Sequence, residues 1–174
     1  PKAELYQALL DLQNPWTVMC VAAHPDDEDG ATLTVLRRKF GVHTVTVPGT
    51  VAGWVALHRR FGRLPMPDLL APAIFYAEHG FPVTDVIAAR WAKWTDKLSA
   101  DSSAAATYLP NGRAPRSGEL FANQDLAAAL RRIASDGLAG FYAGPTAAAI
   151  LECSRTRGGT MTAEDLCDFE AEWV

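Results

Sequence analysis

The sequence predicts an α/β fold that is predominantly helical, with a short βαβ element at the amino end and a multi-helix segment after it. Two observations lead to this prediction. Residues 1–46 contain two apolar runs of strand length on either side of a stretch with helical spacing. From Pro48 onward the pattern becomes helix after helix, separated by Gly and Pro. We therefore divide the chain into residues 1–46 and residues 47–174.

The amino-terminal segment is predicted to run helix, strand, loop, helix, strand. Leucines at helical spacing indicate the first helix over residues 3–12. The continuous apolar run WTVMCVAA at 16–23 is typical of a strand covered on both faces. A second helix is predicted over 30–41, and VHTVTV at 42–47 alternates like a second strand. In such a unit the ligand lies beyond the carboxyl end of the first strand, where the loop AHPDDEDG stands at 23–30.

The rest of the chain is predicted as amphipathic helices that end at Gly, with Asn123 as an N-cap and Thr162 with Asp165 at capping-box spacing. We expect Val51, Val55 and Leu57 to face inward, and Trp91 and Trp94 to pack in the core rather than to stack on a sugar. Residues 99–119, rich in Ser, Ala, Pro, Gly and Asn, are predicted to be an irregular surface excursion. The predicted helical stretches are 48–62, 66–80, 84–98, 123–137, 144–159 and a last one from 160.

Composition excludes several classes of protein. Of the 174 residues 49% are hydrophobic and 21% charged, with a net charge of -4, as expected of a soluble globular protein. The basic residues are scattered, so no nucleic-acid partner is predicted, and no apolar run is long enough for a membrane span. The three cysteines are widely spaced, which argues against a disulfide framework or a thiolate zinc site. The chain begins with Pro and shows no leader sequence, so its localisation stays unknown.

The acidic loop supplies residue types that bind zinc, namely a histidine and carboxylates. Asp26 and Asp27 are adjacent, so in a turn one could bind a metal while the other acts as general base toward a metal-bound water. The same residues are also ordinary turn formers, and an acidic run before a helix complements the helix dipole. Composition alone favours this structural interpretation over a metal site.

The segment AAHPDDEDGATL after an apolar strand resembles the opening of the LmbE-like zinc-dependent N-acetylglucosaminyl de-N-acetylases, whose hallmark is the A-H-P-D-D-E loop. The resemblance covers residues 1–46. It implies that His24 and Asp27 bind zinc in the 23–28 loop and that Asp26 is the base that activates water. That family also uses a metal-binding histidine from a downstream H-x-x-H-type segment. The third ligand is missing here, which implies a weak site, because no such pair is formed by the remaining histidines, His43, His58 and His79.

Four stretches of the second part resemble another family. They are P-G-T-V-A-G at 48–53, the A-x-x-x-A-E-x-G-F-x-V run at 73–83, GELFANQDLAAALRRIASDGLAGFYAG at 118–144 and GGTMTAEDLCDFEAEWV at 158–174. Together they make residues 47–174 similar to the large-subunit region of the gamma-glutamyltranspeptidase family. The resemblance implies that the multi-helix segment is part of the large subunit of an N-terminal-nucleophile hydrolase.

In that family a precursor cleaves itself, and the new amino-terminal threonine attacks a gamma-glutamyl amide with its own amine as base. The resemblance reaches only the large subunit, so the nucleophilic threonine and its small subunit are expected to be absent. Thr50 and Thr160 both follow glycine, but a helix entry and a turn between helices are not places for this nucleophile. No gamma-glutamyl site is assigned, because the family's substrate-gripping motif includes none of the paired arginines, Arg59, Arg60, Arg131 and Arg132.

These resemblances predict a partial gamma-glutamyltranspeptidase-like protein that is inactive alone. The family activity would be hydrolysis or transfer of gamma-glutamyl groups from glutathione-type amides, without a cofactor. The predicted partners are a small-molecule amide substrate if the chain is active, and a missing small subunit or a second copy. Two alternatives stay open: a zinc-dependent de-N-acetylase acting on N-acetylglucosamine conjugates, and a non-catalytic chimeric or truncated fragment with its joint in VHTVTVPGT at 42–50.

Overall fold

A computed structural model of the chain describes Thr17–Ala22 and residues 43–171. Strand β1 is Thr17–Ala22 and strand β2 is His43–Pro48. The two pair in parallel, from Thr17 opposite His43 to Ala22 opposite Pro48. The predicted pair of parallel strands at the amino end is therefore confirmed. The predicted helices at 3–12 and 30–41 and the acidic loop at 23–30 lie outside the described residues.

Helices make up most of the remaining described chain, as predicted. A short antiparallel pair of strands, β3 at Phe81–Pro82 and β4 at Leu120–Phe121, interrupts them. The nine α-helices of the described residues are α1 Thr50–Phe61, α2 Met66–His79, α3 Asp85–Lys93, α4 Thr95–Ser99, α5 Ser102–Tyr108, α6 Gln124–Asp136, α7 Ala139–Tyr142, α8 Gly144–Thr156 and α9 Ala163–Cys167.

The fold divides into two compact units. The first runs up to Arg63 and resumes at Asp136, so it contains β1, β2, α1 and α7 to α9. The second is Leu64–Ser135 and contains β3, β4 and the helices from α2 to α6. Most of the buried residues of the first unit are Val47, Val51, Ala52, Val55, Tyr142, Ala147 and Leu166. Those of the second include Ala77, Val83, Leu109, Phe121, Ala127, Leu130 and Ile133. The division predicted from the sequence, between residues 1–46 and 47–174, follows a change of family resemblance and not these contacts, and it stays a prediction.

Helix α1 shows why helical spacing decides burial. Val51 and Val55 are four residues apart on one face and are both buried, as predicted. Leu57 was predicted to face inward with them, but 52% of it is exposed. Two residues along a helix correspond to a rotation of about 200°, so Leu57 lies on the opposite side from Val55.

The predicted helix over 84–98 is two helices. Helix α3 ends at Lys93, Trp94 has φ -102° and ψ 6°, and α4 begins at Thr95. Trp91 is partly buried, but 58% of Trp94 is exposed, so the prediction that both tryptophans pack in the core is wrong for Trp94. Several apolar residues of this stretch border an open groove, and no residue of α3 is fully buried.

The prediction of irregular structure over 99–119 is wrong in its first half. Helix α5 forms because the side chain of Asp101 accepts a hydrogen bond from the Ala104 N–H at 2.9 Å, which caps the helix. The alanines that follow, Ala104 to Ala106, have the highest helix propensity of any residue. A 3-10 turn at Pro110–Gly112 comes next.

The predicted caps at Asn123 and Thr162 and the predicted glycine stops at Gly80 and Gly137 are confirmed. The Asn123 side chain accepts from the Leu126 N–H at 2.9 Å, and Thr162 and Asp165 form the capping box of α9. Gly80 after α2 and Gly137 after α6 have φ of +86° and +60°, a region that favours glycine. These caps mark where the helices that contain parts of the family motifs begin and end.

Candidate functional site

The motifs of the first unit meet at the side chain of Tyr142. Its hydroxyl donates a hydrogen bond to the Pro48 carbonyl at 2.6 Å. The same oxygen accepts one from the Ala52 N–H at 3.2 Å. Pro48 and Ala52 belong to the P-G-T-V-A-G segment, and Tyr142 belongs to the end of the 118–144 motif. One buried hydroxyl therefore joins two of the four motifs.

The local structure explains why a hydroxyl is needed at this place. Ala52 is the third residue of α1, so its N–H is one of the four donors at the helix start without a partner in the helix. Pro48 is the last residue of β2. Tyr142 is 6% exposed, and its burial raises the pKa of its hydroxyl. The hydroxyl thus stays protonated and serves as both donor and acceptor.

The fourth motif reaches the same residue through its aromatic side chain. The Phe169 ring lies 5.7 Å from the Tyr142 ring, measured between centroids, and Phe141 packs edge-on to Tyr142 at 5.0 Å. Leu166, on α9 in the same motif, is 1% exposed. We name the group formed by Pro48, Ala52, Tyr142 and Phe169 the tyrosine junction.

The two motifs of the second unit meet along the pair of short strands. Phe81 lies opposite Phe121, and Pro82 opposite Leu120. The Asn123 N–H donates to the Ala77 carbonyl at 2.7 Å. We name this contact between the 73–83 run and the start of the 118–144 motif the strand junction.

Ion pairs flank the strand junction at the surface. Glu78 of α2 pairs with Arg131 of α6, and the hydrogen bond from Arg131 lowers the Glu78 pKa. Arg113 binds both carboxylate oxygens of Glu119 at 2.9 Å. With a further bond from the Arg116 N–H at 2.9 Å, this lowers the pKa of Glu119 to about 2. These groups hold the chain on either side of the strands, and all of them are partly exposed to water.

An open groove lies in the second unit, among the helices α3, α4 and α5. Its volume is about 790 Å³, within the range of small-molecule sites. Three aromatic rings line it, and Arg90 and Lys97 supply positive charge. We name it the aromatic groove; its lining is Ile87, Arg90, Trp91, Trp94, Lys97, Leu98, Asp101, Ala104 and Tyr108.

The chemistry of the groove suits binding rather than catalysis. It contains no histidine or cysteine, and its one carboxylate, that of Asp101, caps α5. Over the residues that the structure describes, no three His, Cys, Asp or Glu side chains come together as a metal site. None of the described helices is both long and apolar enough to cross a membrane.

None of the described residues that line this groove was predicted for catalysis or metal binding. His24, Asp26 and Asp27 lie outside the described residues, so their roles stay predictions. Thr50 is the first residue of α1, and Thr160 lies between α8 and α9, the positions expected from the sequence. Of the paired arginines, Arg131 is bound to Glu78, whereas Arg59 and Arg60 are exposed at the end of α1.

Sequence reasoning missed both Tyr142 and the aromatic groove. Helix α7 has only four residues, so Tyr142 shows no periodic pattern. The available signal was a tyrosine within a motif that already carried the family resemblance. For the groove, the signal was the Trp91 and Trp94 pair, which we interpreted as core packing.

Comparison with known proteins identifies the origin of the motifs. The gamma-glutamyltranspeptidase family model matches residues 22–174. The glutathione hydrolase-like YwrD proenzyme of Bacillus subtilis is 36% identical over 130 residues, covering 75% of this chain and 25% of that protein. The glutathione hydrolase proenzyme of the same organism is 33% identical over 151 residues, or 85% of this chain and 26% of its own length. The chain thus spans about a quarter of the length of these relatives.

Solved structures agree with this assignment. The gamma-glutamyltranspeptidase of Helicobacter pylori superposes with a TM-score of 0.68 at 32% identity, over 71% of this chain and 36% of that one. The cephalosporin acylase of Bacillus halodurans gives 0.70 at 40% identity, over 74% and 25%. The family match takes in all four motifs and both junctions where they meet. The chain therefore belongs to the gamma-glutamyltranspeptidase family.

Proposed function

We propose that this chain forms part of the helical large subunit of an amide hydrolase or transferase of its family. We also propose that the chain has no enzymatic turnover by itself. The family chemistry, hydrolysis or transfer of a gamma-glutamyl group, would require the nucleophilic threonine of a small subunit. The observation that carries this proposal is the tyrosine junction, because its Tyr142 hydroxyl bonds two family motifs to each other as a structural contact.

The position of Thr50 supports the absence of a nucleophile in this part. An amino-terminal nucleophile uses its own free amine as base, so the peptide bond before it must be cut. The Gly49 carbonyl, just before Thr50, accepts a hydrogen bond from the Gly53 N–H at 3.0 Å, in the first turn of α1. Cleavage between Gly49 and Thr50 would therefore break the start of α1 at the tyrosine junction.

The substrate is proposed to be a small molecule with an amide bond. Relatives carry the names glutathione hydrolase, oxamate amidohydrolase and acylase, which describe those proteins. A gamma-glutamyl amide such as glutathione is the substrate we propose for the enzyme to which this chain contributes. The partner that completes it would be a small subunit bearing the nucleophile.

A replacement experiment tests the structural part of the proposal. Residues 47–171 would replace the matching stretch of the Bacillus subtilis glutathione hydrolase. We expect a folded, self-cleaving protein that hydrolyses gamma-glutamyl-p-nitroanilide, whereas the same replacement carrying Tyr142→Ala should lose self-cleavage. A replacement protein that folds but shows no activity, beside an active parent, would contradict the proposal.

The purified chain alone provides the second test. We expect no release of p-nitroaniline from gamma-glutamyl-p-nitroanilide. Turnover by this chain would overturn the proposal that it is inactive alone, and its loss in Thr50→Ala or Thr160→Ala would identify the nucleophile.

A zinc site in the 23–28 loop is a second proposal, favoured by the A-H-P-D-D-E sequence directly after β1. His24 and Asp27 would bind the ion and Asp26 would act as base. Because the site has only two predicted protein ligands, we expect weak zinc binding in an equilibrium titration, kept by His79→Ala and lost in His24→Ala. A chain that binds no zinc in this titration contradicts the site.

Two further tests address the remaining alternatives. Zinc-dependent release of acetate from an N-acetylglucosamine conjugate, abolished by Asp26→Asn without loss of zinc, would support de-N-acetylase activity. The chimeric alternative is tested at the gene, by sequencing codons 40–50 in the source DNA. A joint that is absent there would exclude a natural fusion.

A further inference from the structure

We propose that the aromatic groove binds a small, flat, apolar molecule that carries one carboxylate or sulfonate group. This inference concerns a surface of the second unit and does not depend on the proposed function. Three features of the groove lead to it: two aromatic side chains held by a third ring, an exposed tryptophan, and two cations that form no ion pair with a described residue.

Two of the three aromatic side chains that line the groove, Trp91 and Tyr108, pack against the buried ring of Phe121. The Trp91 ring meets the Phe121 ring edge-on with centroids 4.7 Å apart, and the Tyr108 ring lies nearly parallel to it at 6.4 Å. Trp91 and Tyr108 are themselves 6.2 Å apart. Because β4 and the rings hold one another, these walls lose little conformational entropy when a ligand binds.

Trp94 provides the third ring, and its surface is the apolar area that a ligand would cover. It lies at the turn between α3 and α4 and is 58% exposed. Ile87 and Leu98 extend the apolar surface around it. A flat apolar body is the shape that three aromatic side chains accept by stacking or edge contacts.

The charge of the groove selects an anion. Arg90 and Lys97 are exposed and form no ion pair within the described residues. The Lys97 ammonium lies 5.3 Å from the centroid of the Trp94 ring, so it stays close to the apolar surface. The carboxylate of Asp101 is bound to the start of α5, where the helix dipole offsets its charge. A single anionic group on the ligand would therefore meet two cations at the edge of the groove.

The same charges disfavour a second copy of the chain as the occupant. In a twofold dimer the same patch faces itself, so the two cations of one copy would be brought near the two cations of the other. Like charges brought together in this way are unfavourable. The small anion is thus the occupant whose chemistry complements the groove.

Two matched probes test the proposal on the 174-residue chain. One is 8-anilinonaphthalene-1-sulfonate, and the other is N-phenyl-1-naphthylamine, which has the same rings without the charge. Titrations followed by calorimetry and by tryptophan fluorescence should show one site with tighter binding of the sulfonate. We expect Trp94→Ala to weaken both probes on the order of tenfold, as for an aromatic anchor.

Charge variants separate the anion contact from stacking. Lys97→Gln should weaken the sulfonate about threefold and leave the uncharged probe unchanged, in line with an exposed charge contact. Lys93→Gln, an equal change outside the groove, and Trp54→Ala, a partly exposed tryptophan of the first unit, should change neither probe. Circular dichroism and thermal unfolding verify that each variant is folded.

Three results would overturn the proposal. Equal affinity for the two probes would exclude selection of an anion. Binding that survives Trp94→Ala would place the probe elsewhere. A concentration-dependent dimer that Trp94→Ala disrupts, with no probe binding, would assign the groove to a second copy. None of these results bears on the replacement experiment, which tests the tyrosine junction.

Discussion

In the first unit the motifs meet at a single buried hydroxyl, whereas in the second unit they meet along backbone strands with ion pairs at the surface. The Tyr142 side chain satisfies Pro48 and Ala52, which are 94 and 90 residues away in the sequence. At the strand junction the contacts are spread over several bonds, and the charged side chains there reach water. The two units thus depend on different kinds of interaction.

This difference determines what a substitution should cost. A buried donor or acceptor that loses its partner pays its full desolvation penalty, whereas an exposed ion pair contributes little because water and salt replace it. The tyrosine junction should therefore be sensitive to single changes of one side chain. The strand junction should be sensitive to its backbone and tolerant of changes to its charges.

The largest effect is expected for Tyr142→Ala in the first unit. Loss of a buried aromatic side chain should lower the free energy of unfolding by about 3–5 kcal/mol. Tyr142→Phe removes only the hydroxyl, leaves the Pro48 carbonyl and the Ala52 N–H unpaired, and should cost about 1–3 kcal/mol. Urea unfolding measures both, with the exposed Tyr76→Ala as the control expected to change little. A Tyr142→Phe protein as stable as the parent would contradict the conclusion that the first unit depends on this buried hydroxyl.

The next largest loss of stability is expected for Gly80→Ala in the second unit. Gly80 has φ +86° and ψ 161°, a conformation open essentially to glycine alone, and an added Cβ would lie 3.2 Å from the Phe121 backbone. We expect a loss of about 1–3 kcal/mol from this strain, measured by thermal unfolding. Gly118→Ala, at φ +78° with open space around it, separates strain from contact and should cost less. Equal costs would show that contact with β4 contributes nothing.

A smaller effect of opposite sign is expected for Gly53→Ala, in the same motif as Pro48. Apart from its chain neighbours and the backbone of its own helix, no heavy atom of the described residues lies within 4 Å of the position that its Cβ would take, and Gly53 is inside α1. Alanine should therefore stabilise the chain by up to about 1 kcal/mol through its higher helix propensity. Chemical unfolding measures the gain. A loss instead would mean that other parts of the protein pack against this glycine.

The smallest effect is expected at the exposed Glu119–Arg113 pair. The folded-state pKa of Glu119 is about 2, below its ordinary value of 4.5, so the stabilisation is present above pH 4.5 and is lost as the pH falls toward 2. The unfolding midpoints of the parent and Glu119→Gln should thus differ at pH 6 and converge near pH 2. Added salt should reduce the difference at pH 6. A difference that persists at pH 2 would contradict the ion-pair origin.

Much of the fold could be predicted from local pattern. The parallel strands, the bounds of the longer helices, the Asn123 cap and the Thr162 capping box follow from residues within a few positions of one another. The errors arose where a pattern had more than one tertiary solution. The apolar spacing around Trp94 fits a core face and a groove wall equally well, and only the surroundings decide between them.

The sequence by itself determined the helical character of the chain, its caps and the four motifs that assign it to its family. Only the tertiary structure decided that Tyr142 joins two of those motifs, that Phe121 supports a groove, and that Trp94 is exposed in it. The physical reason is the sequence separation over which each interaction acts. Helix spacing and caps act over three or four residues, whereas the Tyr142 hydroxyl bonds to a carbonyl 94 residues away, a contact that no local period encodes.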